Sequence, residues 1–189
     1  MVDTHDILMK MHPLFFLREI RPGVFLIGEK FFHSWNLANI FFIKGTNSNA
    51  LIDTGKSSSL MPCFPNEFKT FSGTGIHDLP RFLRWSGLLD HKHLHVILTH
   101  THFDHSGGLH QFLAPQTSIH VHEQEKSFVT SNIGFDMTCA WVTDDEVMPK
   151  PSKDWKGKKY EVKRISPDDI SPLQNGDVFH LGNRKLEVN

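Results

Sequence analysis

Hydrophobic and polar positions alternate in short runs along the first third of the chain. Residues 24–28, 40–44 and 50–53 are rich in β-branched, aromatic and other apolar side chains, a composition that favours strands. Turn-forming residues separate these runs, most clearly in the segment 45–49. This part of the sequence therefore predicts an antiparallel meander of short strands.

The middle of the chain alternates between helical and strand patterns. Apolar side chains at helical spacing predict a helix over 79–85 that ends at Gly87. The apolar run 95–98 predicts a short buried strand, and two glycines open a helix expected over 107–113. Such an alternation is typical of an α/β protein.

The same alternation continues toward the last residues. Residues 118–121 predict a strand, and 123–129 a helix whose acidic first turn complements its dipole. The Pro-, Lys- and Trp-rich segment 148–159 predicts a surface loop. Short strands are expected again over 161–188, with a turn at 174–177. Neither a repeat nor an interdomain linker is visible in this pattern.

Composition limits the classes of molecule that the protein is expected to bind. The chain has 189 residues, of which 20 are basic and 21 acidic, so it lacks the positive excess of a nucleic-acid binder. This length suits one domain. The two cysteines form no Cys-x-x-Cys pair, and no apolar run is long enough for a membrane span, which together favour a cytoplasmic protein. The 14 histidines indicate that metal binding is the first chemistry to consider.

The segment that carries the chemistry is Thr99-His100-Thr101-His102-Phe103-Asp104-His105-Ser106-Gly107-Gly108. Four potential metal ligands, His100, His102, Asp104 and His105, lie in it directly after an apolar strand. They need a loop that turns them toward one region, with His100 and His102 on one metal and Asp104 and His105 on a second. Imidazole and carboxylate donors without thiolate fit Zn²⁺, with iron or manganese as alternatives. An isolated His-x-His pair is usually incidental, but the complete string is a specific metal motif.

This string resembles the signature of the metallo-β-lactamase superfamily, and Leu51-Ile52-Asp53-Thr54-Gly55 resembles the superfamily's first motif. The resemblance implies that His100 and His102 bind the first of two Zn²⁺ ions and that Asp104 and His105 bind the second. It also implies that Asp53 supports the metal ligands without touching a metal. The implied fold is the α/β sandwich of that family, αββα, present here as the N-terminal half and the start of the second half. A metallo-β-lactamase-like domain is then expected over 24–189, incomplete at its C-terminus, after an N-terminal extension over 1–23.

The resemblance further implies a hydrolase. In this superfamily a metal-bound hydroxide attacks the substrate, and the residue at the position of Asp104 orients it and relays its proton. Weaker strings resemble an acyl-coenzyme A thioesterase-like subgroup and imply a thioester substrate; they lie at 36–40, 107–112, 141–147 and 173–177. Residues 61–77 depart from that pattern and resemble an inserted loop.

The resemblance also implies ligands that the sequence does not contain. The third ligand of the first metal, a bridging Asp and a final His are expected beyond Asn189. The sequence therefore predicts a truncated form with weak zinc binding and impaired catalysis. His120, His122 and His180 are candidate substitutes, but a structural role is favoured for each.

Two other functions stay open at this point. A hydrolase of a lactone, another ester or a phosphodiester would use the same metals, because loops choose the substrate. Alternatively, the chain would be a catalytically impaired interaction or regulatory protein that associates with a full-length homologue.

Overall fold

The structure is a computed structural model that describes residues 15–29, 38–55, 79–131 and 164–189. The strands in these ranges are β1 Phe15–Arg21, β2 Val24–Glu29, β3 Ile40–Ile43, β4 Ser48–Ile52, β5 His93–Ile97, β6 Thr117–His122, β7 Ile170–Leu173, β8 Val178–His180 and β9 Lys185–Glu187. The helices are α1 Leu79–Trp85, α2 Phe103–Ser106 and α3 Lys126–Thr130, with 3-10 turns at Leu109–Phe112, Glu123–Glu125 and Pro167–Asp169. None of the described helices has the length and hydrophobicity needed to cross a membrane.

The described strands form a seven-stranded sheet in the order β1 to β7 and a two-stranded sheet of β8 and β9. Pairing is antiparallel from β1 to β4 and parallel from β4 to β7. The predicted meander is therefore confirmed, and so is the α/β class. The large mixed sheet is consistent with one half of an αββα sandwich.

The first strand, β1, was not predicted and lies within the segment expected to precede the domain. It pairs with β2 along its length, with Phe15 opposite Glu29 and Arg21 opposite Val24. Only Phe15 and Leu17 are buried, and the strand is exposed from Arg18 onward. Charged residues on an edge strand oppose further pairing with other chains.

Helix α1 covers one face of the sheet. Leu79, Phe82 and Leu83 are buried in the larger core, as the helical spacing of the apolar residues predicted. The helix ends where Gly87 adopts a left-handed φ of 71° and the Leu88 amide returns to the Leu83 carbonyl at 2.9 Å. Glycine adopts this conformation without the steric cost of a Cβ.

The prediction of a helix over 107–113 is wrong, because the structure has a 3-10 turn there. A single helical turn, α2, contains part of the ligand string, and a 3-10 turn comes next at Leu109–Phe112. Leu109 and Phe112 are nevertheless buried against the core, so the apolar spacing located the buried face correctly. Apolar positions three apart fit a 3-10 turn as well as an α-helix.

The β8–β9 hairpin packs on the opposite face of the sheet. Phe179 and Leu181 join Ile43, Ala50 and Ile97 in a second hydrophobic cluster. The Leu181 carbonyl also accepts a hydrogen bond from the Asn47 amide at 3.0 Å. The hairpin is thereby attached to the loop that precedes β4.

Three histidines lie on this second face beside the hairpin. His95 Nδ1 and His120 Nε2 are 3.2 Å apart, and both rings contact Phe179, with centroids 5.3 and 4.7 Å from its ring. Burial, with a further contribution from His95 and His93, lowers the pKa of His120 to about 4, although Asp177 opposes this shift. Burial and His93 lower the pKa of His95 as well.

Acid is therefore expected to destabilise the fold through His120. Its pKa is about 6.5 when unfolded and about 4 when folded, so the unfolded state binds the proton first. The stabilisation is present above pH 6.5 and is lost as the pH falls toward 4. The full difference would correspond to about 1.4 kcal/mol for each pH unit, and because solvent screens this partly exposed ring, the free energy of unfolding should fall by about 1 to 2 kcal/mol. Urea unfolding across this range measures the loss.

A His120→Gln variant should lose much of this acid dependence. His91→Gln is the matched control, because it removes an exposed histidine and should unfold with the parent's pH dependence. Equal pH dependence in the parent and the His120→Gln variant would contradict the assignment.

Candidate metal centre

The candidate site lies at the carboxyl edge of β4 and β5. These strands are parallel, with Ile52 opposite Ile97, so the segments after them emerge side by side. The Asp53 amide donates to the Ile97 carbonyl at 2.9 Å, which keeps the two chains together past the last strand pair. Ligand sites in α/β proteins commonly form at this edge. Residues 99–108, which come after β5, form a segment that we name the metal loop.

The Asp53 side chain anchors the start of the metal loop. It is 2% exposed, and its carboxylate accepts hydrogen bonds from the Thr99 amide at 2.8 Å and from the Thr99 hydroxyl at 2.8 and 3.0 Å. It also contacts His105 Nδ1 at 2.7 Å. Asp53 has a left-handed φ of 62°, a conformation that aspartate tolerates better than most residues. These bonds to the carboxylate oppose relaxation of that backbone.

Thr54 and Gly55 hold the far end of the metal loop. The His105 carbonyl accepts hydrogen bonds from the Thr54 amide at 2.7 Å and from the Thr54 hydroxyl at 2.8 Å. The Gly108 amide donates to the Gly55 carbonyl at 3.0 Å. The Asp-Thr-Gly motif thus fixes the metal loop at both ends.

Between these anchors the metal loop contains a helical turn. The amides of His105 and Ser106 both donate to the His102 carbonyl at 2.9 Å. The Ser106 hydroxyl donates to the Thr101 carbonyl at 2.9 Å. The sequence pattern predicted a loop over residues 99–106. The Cβ atoms of successive residues on a helical turn diverge by about 100°, but the longer His105 side chain brings its Nε2 to 3.6 Å from Asp104 Oδ2.

Three imidazoles and one carboxylate meet at this edge. The His100 ring centroid lies 3.9 Å from that of His105 and 4.7 Å from that of His102. An Asp104 oxygen, Oδ2, lies 3.6 Å from His105 Nε2. The four predicted ligands are therefore neighbours in space as well as in sequence.

The imidazoles of His100 and His105 have opposite electrostatic environments. Burial, followed by the charges of His105 and His102, lowers the pKa of His100. Burial would also lower the pKa of His105, but the hydrogen bond and charge of Asp53 outweigh it, so that this pKa is raised. A carboxylate behind an imidazole has this effect because it stabilises the protonated ring.

The donor set fits a divalent metal of the zinc type. Asp104 is 8% exposed, and its Oδ1 is buried without a hydrogen-bond partner among the described residues. A buried carboxylate oxygen is costly unless it is paired, and a metal ion supplies such a partner. Within the described ranges, no group of three or more His, Cys, Asp or Glu side chains is arranged to hold one ion.

The candidate substitute ligands lie elsewhere. His120 belongs to the histidine group beside the hairpin, where its Nε2 faces His95. His122 caps the adjoining 3-10 turn by accepting from the Gln124 amide at 3.4 Å. His180 is exposed on β8. Sequence reasoning missed the hydroxyl of Thr99, although its position directly before the first histidine is visible in the motif.

Comparison with known proteins establishes the class. Residues 33–186 match the family model described as the Metallo-beta-lactamase superfamily. The chain therefore belongs to this superfamily, which confirms the resemblance seen in its two motifs.

The chain is also similar to named relatives. The chain is 34% identical over 180 residues to human "Acyl-coenzyme A thioesterase MBLAC2", an alignment that covers 90% of this chain and 56% of the relative. The chicken protein of the same name is 31% identical over 177 residues, covering 90% and 55%. The chain thus spans little more than half the length of these relatives.

Solved structures support the fold. An archaeal metallo-β-lactamase superfamily protein from Sulfolobus tokodaii aligns with a TM-score of 0.56 at 20% identity, over 87% of this chain and 54% of its own. A β-lactamase domain protein from Burkholderia ambifaria aligns with a TM-score of 0.52 at 18% identity, over 90% and 47%. At these identities the likeness concerns the fold alone.

The close approach at Gly108 gives a test of the loop anchor. A Cβ at this position would lie 2.5 Å from the Thr54 carbonyl oxygen, so Gly108→Ala must push the metal loop away from the Asp-Thr-Gly motif. We expect a loss of about 1 to 3 kcal/mol in the free energy of unfolding, together with a shift of the His105 imidazole resonances. Denaturant unfolding and NMR measure these effects.

Gly87→Ala is the matched control. Gly87 has a left-handed φ of 71° and open space around it, so alanine should cost about 1 kcal/mol through the backbone alone. The His105 resonances should then stay in place. If both variants or neither moved them, the proposed anchor would be wrong.

Proposed function

We propose that this protein is a zinc-dependent hydrolase that acts on acyl-coenzyme A-like thioesters. The observation that carries the proposal is the buried Asp104 Oδ1 without a hydrogen-bond partner among the described residues; the other oxygen of this carboxylate lies 3.6 Å from His105 Nε2, and the His105 ring is 3.9 Å from that of His100. Membership of the superfamily supports hydrolysis, and the names of the relatives support the thioester.

The proposed ligands act as two pairs. His100 and His102 would hold one ion, and Asp104 and His105 the other. Zinc suits these donors, and iron or manganese are the alternatives. The chemistry that zinc supplies when bound is polarisation of a carbonyl oxygen and a lowered pKa of water.

Asp104 is the proposed proton carrier. Asp104 would hold the ion through one carboxylate oxygen and accept a proton from the attacking water with the other, a role supported by the lack of a hydrogen-bond partner for Oδ1 among the described residues. The water oxygen forms a bond to the thioester carbon, the carbon–sulfur bond breaks, and the proton passes to the leaving sulfur. Asp53 contributes by holding the Nδ1 side of His105, which directs Nε2 toward Asp104.

The substrate and partners are proposals for the whole protein. The alternatives are hydrolysis of another ester, a lactone or a phosphodiester, and an interaction role beside a full-length homologue. No described contact favours one of these alternatives. Activity against a panel of substrates, with co-purification of partners, separates them. The cytoplasmic location likewise stays a prediction.

Zinc binding is expected to depend on the metal loop. The purified parent and a His100→Ala/His102→Ala variant should differ in zinc content by elemental analysis, because the variant lacks both proposed ligands of one ion. A His91→Ala/His180→Ala variant is the matched control, since both of these histidines are exposed and lie outside the site. It should retain the parent's zinc content. Equal zinc in all three proteins would overturn the ligand assignment.

In a form of the chain extended with the C-terminal half of a relative, thioester hydrolysis is expected to exceed β-lactam hydrolysis. This extended form would be assayed with a long-chain acyl-coenzyme A and with a chromogenic cephalosporin after zinc loading. Asp104→Asn, which keeps the shape and removes the proton acceptor, should lower the thioester rate by about 100-fold or more. Efficient lactam turnover without thioester turnover would remove the thioester assignment and leave the hydrolase class.

A further inference from the structure

We infer that Thr99 is a positioning residue for His100: its hydroxyl fixes which ring nitrogen of His100 is free for a metal. The inference rests on the proposed metal function, but its first test does not need a metal. Thr99 lies directly before the first proposed ligand. Neither the motif pattern nor the comparisons assign it a role.

The Thr99 hydroxyl lies between a carboxylate and an imidazole. Its oxygen is 2.8 and 3.0 Å from the two carboxylate oxygens of Asp53 and 3.1 Å from His100 Nδ1. The same oxygen is 3.5 Å from His105 Nδ1. One hydroxyl therefore contacts the carboxylate that anchors the metal loop and two of the proposed ligands, with the shorter ligand contact to His100.

Donor counting fixes the direction of each hydrogen bond. An ionised carboxylate only accepts, so the single hydroxyl proton of Thr99 goes to Asp53. Toward His100 the oxygen can then only accept, which requires the proton of the neutral ring to be on Nδ1. The lone pair of His100 is thereby left on Nε2, the nitrogen that faces away from Thr99.

His105 obeys the same logic directly. Its Nδ1 lies 2.7 Å from Asp53 Oδ2, so the ring donates from Nδ1 and, in its neutral form, has its lone pair on Nε2. Asp53 thus orients His105 by direct contact and His100 through Thr99. One carboxylate thus sets the ring orientation of one ligand in each proposed pair, and the Thr99 hydroxyl connects it to His100.

The first measurement is the tautomer of His100 in the zinc-free protein, read from the imidazole nitrogen shifts by NMR at a pH where the ring is neutral. The parent should show the proton on Nδ1. Thr99→Val, which replaces the hydroxyl with a methyl of similar size, should give mixed tautomers. Thr99→Ser should restore the parental spectrum.

Thr54→Val is the matched control. It removes a hydroxyl hydrogen bond to the same loop, but that bond ends on the His105 carbonyl at 2.8 Å and touches no imidazole. It should loosen the loop without changing the His100 tautomer. A change as large as that in Thr99→Val would make the effect merely structural and overturn the inference.

The second measurement is zinc affinity by competition with a chelator. Loss of a group that orients a ligand typically weakens binding by about 10- to 100-fold, which is the range expected for Thr99→Val. Thr99→Ser should bind like the parent. If Thr99→Val fails to fold, Thr99→Ala is compared with Thr99→Ser, because alanine also removes the hydroxyl.

The two measurements separate the two proposals. If no protein bound zinc but the tautomers behaved as expected, the metal function would fail and the positioning role of Thr99 would stand. If zinc bound in all variants with equal affinity and the His100 tautomer never changed, the inference about Thr99 would be wrong.

Discussion

The candidate site depends on one buried carboxylate placed where two parallel strands end. Asp53 accepts from the backbone and hydroxyl of Thr99 and contacts His105 Nδ1. Without that carboxylate, the end of β4 would lose its hydrogen bonds to the metal loop. The left-handed backbone conformation of Asp53 would then be strained, with no side-chain contacts to offset the strain. The carboxylate itself is tolerated inside the protein because each of its oxygens is hydrogen-bonded. The Asp53 carboxylate therefore stabilises both the end of β4 and the candidate site.

Local patterns in the sequence account for much of this architecture. Local sequence patterns predicted β2 to β5 and the helix α1. The spacing of their apolar residues and the turn-forming residues between them were sufficient, without tertiary information. The ligand string and the Asp-Thr-Gly motif were also readable, because metal chemistry needs those residue types at that spacing. The two motifs converge at one edge of the sheet because Ile52 and Ile97 pair in parallel, and each motif begins directly after its strand.

Features that depend on distant contacts were not predictable in the same way. The strand β1 is apolar only at its start, and its place in the sheet comes from pairing with β2. The helical turn α2 replaces part of the expected loop, and its His105 carbonyl accepts a hydrogen bond from the distant Thr54 hydroxyl. The pair of His95 and His120 arises from the register of neighbouring strands and the overlying Phe179. No local pattern encodes such a register.

The described contacts that orient His100 and His105 lie on the strand side of the metal loop. The Thr99 hydroxyl contacts Nδ1 of His100, and the Asp53 carboxylate contacts Nδ1 of His105. The Thr54 hydroxyl donates to the His105 carbonyl. The opposite side of the same rings is the side proposed to face the metal. Since these supporting contacts do not involve a substrate, they would orient the proposed ligands equally for any acyl or phosphoryl group. Selectivity must then come from residues that support none of the ligands, which is why one superfamily fold can serve many hydrolytic reactions.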